Sequence, residues 1–374
     1  MATIDNKQLL SVCREFGIDG ALVETRVFTD GHINSTYLTI FKIAGETKKY
    51  LVQRVNTHVF KDQDVLMDNI IGVTKYLRKK IAEIGGDVER ETLHFLKAKN
   101  GNYYFNLDDA CWRIYHFIDK TYTYNKLDSN EIFEDAGRSF GRFQGLLSGY
   151  PSESLKETIP NFHNTPKRIE AFEKAVEENI VNRASEVTEL TEFILARKDK
   201  AGLALKLLDE GKIPLRVTHN DTKINNILFD EDTQKGICVI DLDTIMPGLS
   251  LYDFGDAIRS GAATALEDEK DLSKVGVSLS LYESYVKGYL SSCAEALTID
   301  EVKHLAYGAW LLTFECGVRF LTDYLQNDVY FRTHYEGHNL VRAKNQLKMA
   351  EDIERKMDKM NDITMRIYNK MISK

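Results

Sequence analysis

The residues best suited to chemistry lie between positions 219 and 241 of the sequence. Asp221 is followed five positions later by Asn226, and Asp241 ends an apolar run fifteen positions after Asn226. Carboxylate and amide oxygens are hard ligands of the kind that Mg²⁺ prefers, while water and nucleotide phosphates complete its shell. The pattern therefore predicts Asn226 and Asp241 as ligands of a magnesium ion.

Asp221 is then free to act on an acceptor hydroxyl. The segment from His219 to Asn226 has the pattern H-x-D-x-x-x-x-N, and an isolated Asp follows it at the end of a strand. This combination matches the catalytic loop and metal loop of the protein-kinase-like fold. It predicts phosphoryl transfer from ATP with Mg²⁺ as cofactor, in which Asp221 orients the hydroxyl and accepts its proton late. His219 is expected to hold the loop in place.

Three short apolar segments must position these side chains. We predict strands at Leu215–His219, Asn226–Phe229 and Gly236–Asp241, within a chain that is otherwise helical after Ser129. The tripeptide Asp253-Phe254-Gly255 spells the kinase metal loop literally, but it stands where a helix begins. Asp253 is therefore expected to cap that helix or to pair with Arg259.

The first third of the chain is predicted to cover the nucleotide. Strand-like segments surround a turn at residues 29–37, a helix is expected at about 62–84, and further strands at 91–97 and 111–118. The turn would bind phosphate through backbone N–H groups near Gly31, and Arg54 on the next strand would offer a guanidinium to phosphate oxygens. The remaining predicted nucleotide contacts are the side chains of His32, Asn34 and Thr36 and the backbone of His116, Phe117 and Ile118, the last three facing adenine.

These elements predict an α+β, bilobal protein-kinase-like fold. Residues 1–117 would form a small N-terminal lobe built on an antiparallel sheet. Residues 118–374 would form a larger, mainly helical lobe that carries the catalytic and metal loops.

Composition narrows the class of partner. The chain has 374 residues and a formal net charge of −8, with 43% hydrophobic and 28% charged residues. Such a globular, mildly acidic chain is poorly suited to nucleic acid or to an anionic membrane, so small molecules are the expected partners. The N-terminus lacks the features of a signal peptide, and the five cysteines show no metal-binding spacing. We expect a cytoplasmic monomer with reduced thiols.

Four segments together resemble the aminoglycoside phosphotransferase and choline kinase family. They are HNDTKINN, IDLDT, GHINSTY and YLVQRVN. Residues 252–259 and 319–331 resemble the N-acetylhexosamine 1-kinases within that family. The resemblance implies ATP- and Mg²⁺-dependent phosphorylation of the C1 hydroxyl of N-acetylglucosamine or N-acetylgalactosamine. It also implies that Asp221, Arg319 and Tyr330 contact the sugar.

Two other functions remain open from the sequence. One is a kinase for another small alcohol, such as choline, ethanolamine or an aminoglycoside. Cationic amines require carboxylates and aromatic cages, whereas a neutral acetamido sugar suits donors such as Arg319. The other is a non-catalytic nucleotide-binding module, which the presence of Asp221, Asn226 and Asp241 disfavours.

Overall fold

The computed structural model describes residues 6–28, 34–125, 127 and 129–373. Two compact units divide the chain. Unit 1 contains the N-terminal residues as far as Tyr122, together with Ser154–Ile159 and Leu228–Ile245, and unit 2 contains the remainder. The sequence predicts one boundary, after residue 117, whereas in the structure two later segments also belong to unit 1. As a result, Asp241 belongs to unit 1 and Asp221 to unit 2.

The centre of unit 1 is a five-stranded antiparallel sheet with the strand order β1-β2-β3-β5-β4. Its strands are β1 (Ala21–Phe28), β2 (Ser35–Ile43), β3 (Glu46–Val55), β4 (Phe105–Leu107) and β5 (Ala110–His116). Gly45 connects β2 to β3 with a φ of 89°, a conformation that glycine adopts without steric cost. The predicted meander of strands is thereby confirmed, except at residues 91–97, where Phe95 makes only an isolated bridge to Tyr115.

The two faces of this sheet differ in what they pack against. Tyr50 and Val52 of β3 and Trp112 of β5 belong to an apolar core with helix α1 (Asn6–Glu15). Successive side chains of a strand alternate between faces. Gln53, which lies opposite Arg113 in the β3–β5 register, therefore faces the other side.

Helix α2 (Gln63–Glu83) ties the later segments of unit 1 to the sheet. Its first turn is capped by Asp62, whose side chain accepts a hydrogen bond from the Val65 N–H at 3.0 Å. Asn69 donates to the carbonyl of Ile245 at 2.9 Å and to that of Lys156 at 2.8 Å. One buried amide thus holds both inserted segments, which have no periodic pattern that would reveal the contact. A small sheet completes the unit, with β6 (Thr121–Tyr122), β8 (Ile227–Asp230) and β9 (Gly236–Val239) in the order β6-β8-β9.

Unit 2 is mainly helical. Its helices are α3 (Asn130–Leu146), α4 (Thr165–Glu178), α5 (Thr188–Leu195), α6 (Lys198–Ala201), α7 (Leu203–Asp209), α8 (Ser250–Gly261), α9 (Leu279–Cys293), α10 (Ile299–Lys303), α11 (Leu305–Leu325) and α12 (His338–Ile372), and its two-stranded sheet pairs β7 (Arg216–Thr218) with β10 (Met246–Gly248). Helices α8 and α11 approach closely at Gly255, where an added Cβ would lie 2.2 Å from the Gly308 carbonyl oxygen. Only glycine fits there, which gives Gly255 a packing role.

Two general expectations can be compared with the structure. All five cysteines are free thiols, and Cys13, Cys111, Cys238 and Cys293 are buried. Within the described ranges, none of the helices combines the length and apolar character needed to cross a bilayer.

Candidate active site

Asp221 lies in unit 2, in the short loop that follows β7. Asn220 has a φ of 65°, which turns the chain sharply before Asp221. The side-chain amide of Asn226 then donates to the Asp221 carbonyl oxygen at 2.8 Å and to its carboxylate Oδ2 at 3.1 Å. The side-chain nitrogen of Asn226 therefore stabilises the loop. Asn226 is also the residue that the sequence predicts as a metal ligand.

A lysine that the sequence interpretation did not assign completes this loop. The Lys223 ammonium lies 2.9 Å from Asp221 Oδ1. The spacing of two residues in a turn is the only sequence signal for this pair, and such pairs are common on surfaces. The Asp221 carboxylate raises the pKa of Lys223 and so keeps it charged.

The same contacts set the charge of Asp221. Burial raises the pKa of Asp221, but the Lys223 ammonium, with smaller contributions from His219 and Asn226, outweighs it and leaves the pKa below its usual value. Asp221 is therefore ionised at neutral pH. An ionised carboxylate accepts a hydrogen bond from a hydroxyl and orients it, which is the main requirement of phosphoryl transfer.

His219 is fully buried beneath the loop. Its ring packs edge-on against Phe140 and Phe143, with ring centroids 5.8 and 6.1 Å away. Its Nδ1 accepts a hydrogen bond from the Asp221 N–H at 3.3 Å. These contacts give His219 the loop-holding role that the sequence favours.

Asp253 neither caps α8 nor pairs with Arg259. It lies inside the helix, and its carboxylate accepts hydrogen bonds from the N–H groups of His219 at 2.9 Å and Asn220 at 2.7 Å. Arg259 pairs instead with Asp256, at 2.8 Å. The expected partner was therefore wrong by one helical turn. Asp253 anchors the catalytic loop from below, because two adjacent backbone donors in a tight loop require an acceptor.

Asp241 follows the strand β9 by two residues in unit 1. Its backbone is left-handed, with φ 59° and ψ 57°, and a short 3₁₀ turn, Leu242–Thr244, follows it. Such a conformation is strained for a residue with a side chain and is typical of positions where the surroundings fix the backbone. This outlier is consistent with a functional placement of the Asp241 carboxylate.

The oxygen atoms of the predicted metal ligands suit Mg²⁺. The side-chain nitrogen of Asn226 donates two hydrogen bonds, whereas its side-chain oxygen Oδ1 makes none with any described residue. In residues 6–28, 34–125, 127 and 129–373, no group of three or more His, Cys, Asp or Glu side chains forms a metal cluster. Mg²⁺ in a nucleotide site does not need one, since it is usually held by one or two carboxylates plus phosphate and water.

The predicted phosphate-covering turn is only partly visible. Gly31 and His32 lie outside the described residues. Asn34 is buried, and its side chain donates to Asp243 Oδ2 at 2.5 Å and accepts from the Asn56 N–H at 2.9 Å. Contrary to the expectation for Asn34, both ends of its amide are occupied inside the protein, so it is not free for a phosphate.

Thr36 and Arg54 lie on opposite faces of the sheet from one another. The Thr36 hydroxyl accepts a hydrogen bond from the Gln53 amide at 3.0 Å. Arg54 is opposite Trp112 in the register and so shares the face that packs on α1. Its exposed side chain borders a cavity of about 270 Å³ that Ser35, Asn56, Thr57 and His58 also line. The buried guanidinium on the other face is that of Arg113.

The predicted adenine contacts are at the end of β5. The N–H groups of His116 and Phe117 donate to the carbonyls of His94 at 3.0 Å and Lys49 at 3.2 Å. Neither N–H is therefore available to a nucleotide base. The Ile118 N–H makes no hydrogen bond within the described part of the chain, so it is the backbone donor that remains.

Arg319 and Tyr330 come together in unit 2. The guanidinium carbon of Arg319, on α11, lies 5.4 Å from the ring centroid of Phe162, 5.9 Å from that of Tyr330 and 5.5 Å from that of Phe331. It makes no hydrogen bond or ion pair with any described residue. Its donors are therefore available to a ligand with oxygen acceptors.

A buried carboxylate orders the loop that carries Tyr330. Asp323 accepts hydrogen bonds from the N–H groups of Tyr330 at 2.8 Å and Phe331 at 2.9 Å, and from the Asn339 amide at 2.8 Å. The Tyr330 side chain itself is 65% exposed. The sequence did not reveal this role, because an Asp four residues after an Arg on a helix suggests a surface ion pair.

The antiparallel sheet of unit 1 and the helices of unit 2 give the chain the α+β organisation that the sequence predicts. A model of the phosphotransferase enzyme family matches residues 24–284. Because this match spans well over half of the 374 residues, the chain belongs to that family.

Solved structures share the fold at low sequence identity. Spectinomycin phosphotransferase in complex with ADP and spectinomycin is 14% identical with a TM-score of 0.58, covering 95% of this chain and 100% of that one. Choline kinase from Cryptosporidium parvum is 16% identical with a TM-score of 0.57, covering 95% and 97%. Aminoglycoside phosphotransferase from Alicyclobacillus acidocaldarius is 9% identical with a TM-score of 0.60, covering 98% of each. These likenesses confirm the predicted α+β kinase-like fold.

Proposed function

We propose that this protein transfers the γ-phosphoryl group of ATP to the C1 hydroxyl of an N-acetylhexosamine, giving the sugar 1-phosphate. Membership of the phosphotransferase family supplies the reaction class. The unpaired Arg319 guanidinium among three aromatic rings is the observation that carries the choice of acceptor.

The charge around Arg319 disfavours a cationic acceptor. The aromatic rings that would cage a quaternary amine are already in contact with a guanidinium. Burial and the charge of Arg319 both lower the pKa of Arg168, while the buried Glu315 carboxylate opposes them. A choline, ethanolamine or aminoglycoside would bring further positive charge to this cluster. A neutral sugar instead offers hydroxyl and acetamide oxygens to Arg319 and an apolar ring face to Tyr330.

A chain of neighbours connects Arg319 to the catalytic loop within unit 2. Helix α11, which carries Arg319, approaches α8 closely at Gly255. Asp256 of α8 accepts a hydrogen bond from the Thr222 N–H at 3.0 Å. The candidate acceptor residues and Asp221 are thus attached to the same pair of helices, α8 and α11.

Asp221 suits an anomeric hydroxyl. A hemiacetal hydroxyl is more acidic than an ordinary alcohol, so a weakly basic, ionised carboxylate is sufficient to orient it and to accept its proton as transfer proceeds. Lys223, held by Asp221, would help to neutralise charge on the transferring group. Asn226 and Asp241 would hold Mg²⁺, which offsets the negative charge of the ATP phosphates when bound.

The nucleotide contacts are proposed on less direct grounds. Ile118 offers its backbone N–H to adenine, and Thr36 offers a hydroxyl on the face of the sheet that carries Arg113. Gly31 and His32 are proposed from the sequence pattern alone. Arg54 is kept as a proposal only for an anion that enters the cavity beside it.

Turnover of ATP with a panel of acceptors tests the proposal. The panel contains N-acetylglucosamine, N-acetylgalactosamine, glucose, choline, ethanolamine and an aminoglycoside, each with Mg²⁺. Product NMR, through coupling of phosphorus to the anomeric proton, identifies the phosphorylated hydroxyl. Asp221→Asn is the inactive control, and Asp358→Asn, an exposed site on α12, is the matched control. Turnover confined to the amines, or phosphorylation at a hydroxyl other than C1, would contradict the proposal.

A further inference from the structure

A buried ion pair connects β5 of unit 1 to the turn that follows Asp241. The guanidinium Nη1 of Arg113 lies 2.6 Å from Asp243 Oδ1, and both side chains are less than 5% exposed. Burying two charges is unfavourable unless their remaining polar atoms are also satisfied. The pair is therefore a specific feature that the surrounding residues must support.

Those supporting contacts are present on the arginine. Arg113 Nε donates to Gln53 Oε1 at 2.9 Å, and its guanidinium lies over the ring of Phe95, 5.8 Å from the centroid. These interactions and the ion pair engage the guanidinium within the protein. Arg113 is thus occupied by its neighbours and does not present a free cation to a phosphate.

The carboxylate is held from a second direction. Asn34 donates to Asp243 Oδ2 at 2.5 Å and at the same time accepts from the Asn56 N–H. Asp243 therefore joins β5, the residue before β2 and the turn after β9. The Asn34 amide is hydrogen-bonded to Oδ2, whereas Oδ1 meets Arg113 as an ion pair without a hydrogen bond.

The turn that begins at Asp241 is fixed at two points. Asp243 is bound by Arg113 and Asn34, and the carbonyl of Ile245 accepts from Asn69 of α2 at 2.9 Å. The left-handed backbone of Asp241 is strained, and strained residues persist only where neighbouring contacts over-determine them. The buried contacts of Asp243 supply that constraint two residues away.

From this geometry we infer that Arg113 and Asp243 are positioning residues for the metal ligand Asp241. Helix α2 holds the same turn through the amide of Asn69. The inference rests on the phosphotransferase class and on the proposed metal role of Asp241, and it is independent of the acceptor.

Nucleotide binding with and without Mg²⁺ tests the inference. The variant Arg113→Met/Asp243→Asn removes both charges together, which avoids an unpaired buried charge, and it leaves an amide oxygen for Asn34. Calorimetric titration of the folded protein with ATP is expected to show Mg²⁺-dependent affinity reduced about 10- to 100-fold, the usual effect of losing a residue that orients a metal ligand. Metal-free ATP affinity is expected to stay unchanged.

A matched control comes from Asp230, a buried carboxylate in β8 of the small sheet. Arg90 lies 2.8 Å from Asp230 in unit 1, and Asp230 is outside the Asp241 turn. Arg90→Met/Asp230→Asn is expected to bind Mg²⁺-ATP as the unmodified protein does. Arg113→Lys keeps the positive charge but lacks the planar guanidinium, so it is expected to lose less Mg²⁺-dependent ATP affinity than the double variant.

Three results would overturn the inference. The first is an unchanged Mg²⁺-dependent affinity for ATP in the folded double variant, and the second is an equal loss of ATP affinity with and without the metal. The third concerns single variants: Arg113→Lys binds Mg²⁺-ATP normally, while Asp243→Asn abolishes the dependence of ATP binding on Mg²⁺. The last would make Asp243 a direct ligand. Because no acceptor is present, a kinase that binds Mg²⁺-ATP normally but phosphorylates an amine would refute only the proposed acceptor. A protein that binds no nucleotide would refute both.

Discussion

Replacing Asp323 by asparagine separates recognition of the acceptor from nucleotide binding. The Asp323 carboxylate accepts two backbone hydrogen bonds, from Tyr330 and Phe331, and a third from the Asn339 amide. An asparagine at this position would keep one oxygen acceptor but would turn an NH₂ group toward a backbone donor. The loop that presents Tyr330 to solvent would therefore lose its ordered conformation while helix α11 remained in place.

The size of the effect follows from those three contacts. A hydrogen bond to a charged group contributes about 1.5–3 kcal/mol, and the substitution removes at least one such bond. If the whole of that loss appears as disorder of the loop, the competent conformation becomes about 10- to 100-fold less populated. The KM for the acceptor should rise by the same factor, because the apparent dissociation constant is the intrinsic one divided by the competent fraction. The KM for ATP should not change.

Initial rates measure both constants, with the acceptor varied at saturating ATP and ATP varied at saturating acceptor. Asp358→Asn, on the exposed side of α12, controls for loss of one negative charge. Thermal unfolding confirms that each variant is folded at the assay temperature. An unchanged acceptor KM in folded Asp323→Asn, or a parallel rise in the KM for ATP, would refute the assignment of Tyr330 and its loop to the acceptor.

Three further predictions concern the catalytic loop and the packing beneath it. Asp221→Asn should lower kcat by about 10²- to 10⁴-fold, because hydroxyl orientation and proton acceptance are lost. The dissociation constant for ADP should stay the same. A kcat within about tenfold of the original would contradict the catalytic role of Asp221. Since Lys223 holds the pKa of Asp221 below its ordinary value of 3.8, Asp221 remains ionised as the pH falls and any acid limb of kcat that it governs lies below that value. Lys223→Met should move this limb to higher pH, as pH–rate profiles would show, and an unmoved limb would exclude the ion pair as its cause. Gly255→Ala should reduce the free energy of unfolding by about 2 kcal/mol, since its Cβ would meet the Gly308 carbonyl, and denaturant titration should show no such loss for Gly202→Ala, whose Cβ would lie 3.5 Å from the nearest atom.

Periodicity and motif spacing were sufficient to predict the fold class and the order of the main elements. β-like composition between tight turns predicted the strands β2, β3 and β5, and the apolar stripe of α2 predicted its helix at nearly the observed bounds. The strand predicted at residues 91–97 was too long, because β propensity does not specify how far a segment will pair. Residues 94–96 pair with β5 through an isolated bridge between Phe95 and Tyr115 and the backbone hydrogen bonds of His94 and Leu96.

The sequence predicts contacts best where the chain itself brings residues together. Asp221 and Asn226 are neighbours in a single turn, so their spacing carries geometric information, although Lys223 in the same turn was not assigned. Asn34 was harder, because its contact with Asp243 joins residues 209 positions apart in the sequence. Nothing local distinguishes an amide that binds a phosphate from one that is buried against a carboxylate.

The choice between Asp241 and Asp253 shows what the local sequence does determine. Asp253 stands in the tripeptide that names the kinase metal loop, yet its carboxylate is buried and occupied by the N–H groups of His219 and Asn220. Asp241 has no such tripeptide; it follows β9 by two residues and carries a left-handed backbone. A carboxylate whose oxygens are occupied by backbone donors is poorly placed to bind a metal, and the loop above the start of α8 occupies those of Asp253 in this way. The tripeptide is therefore a poor guide to the role of Asp253, because the helix that carries it determines what its carboxylate binds.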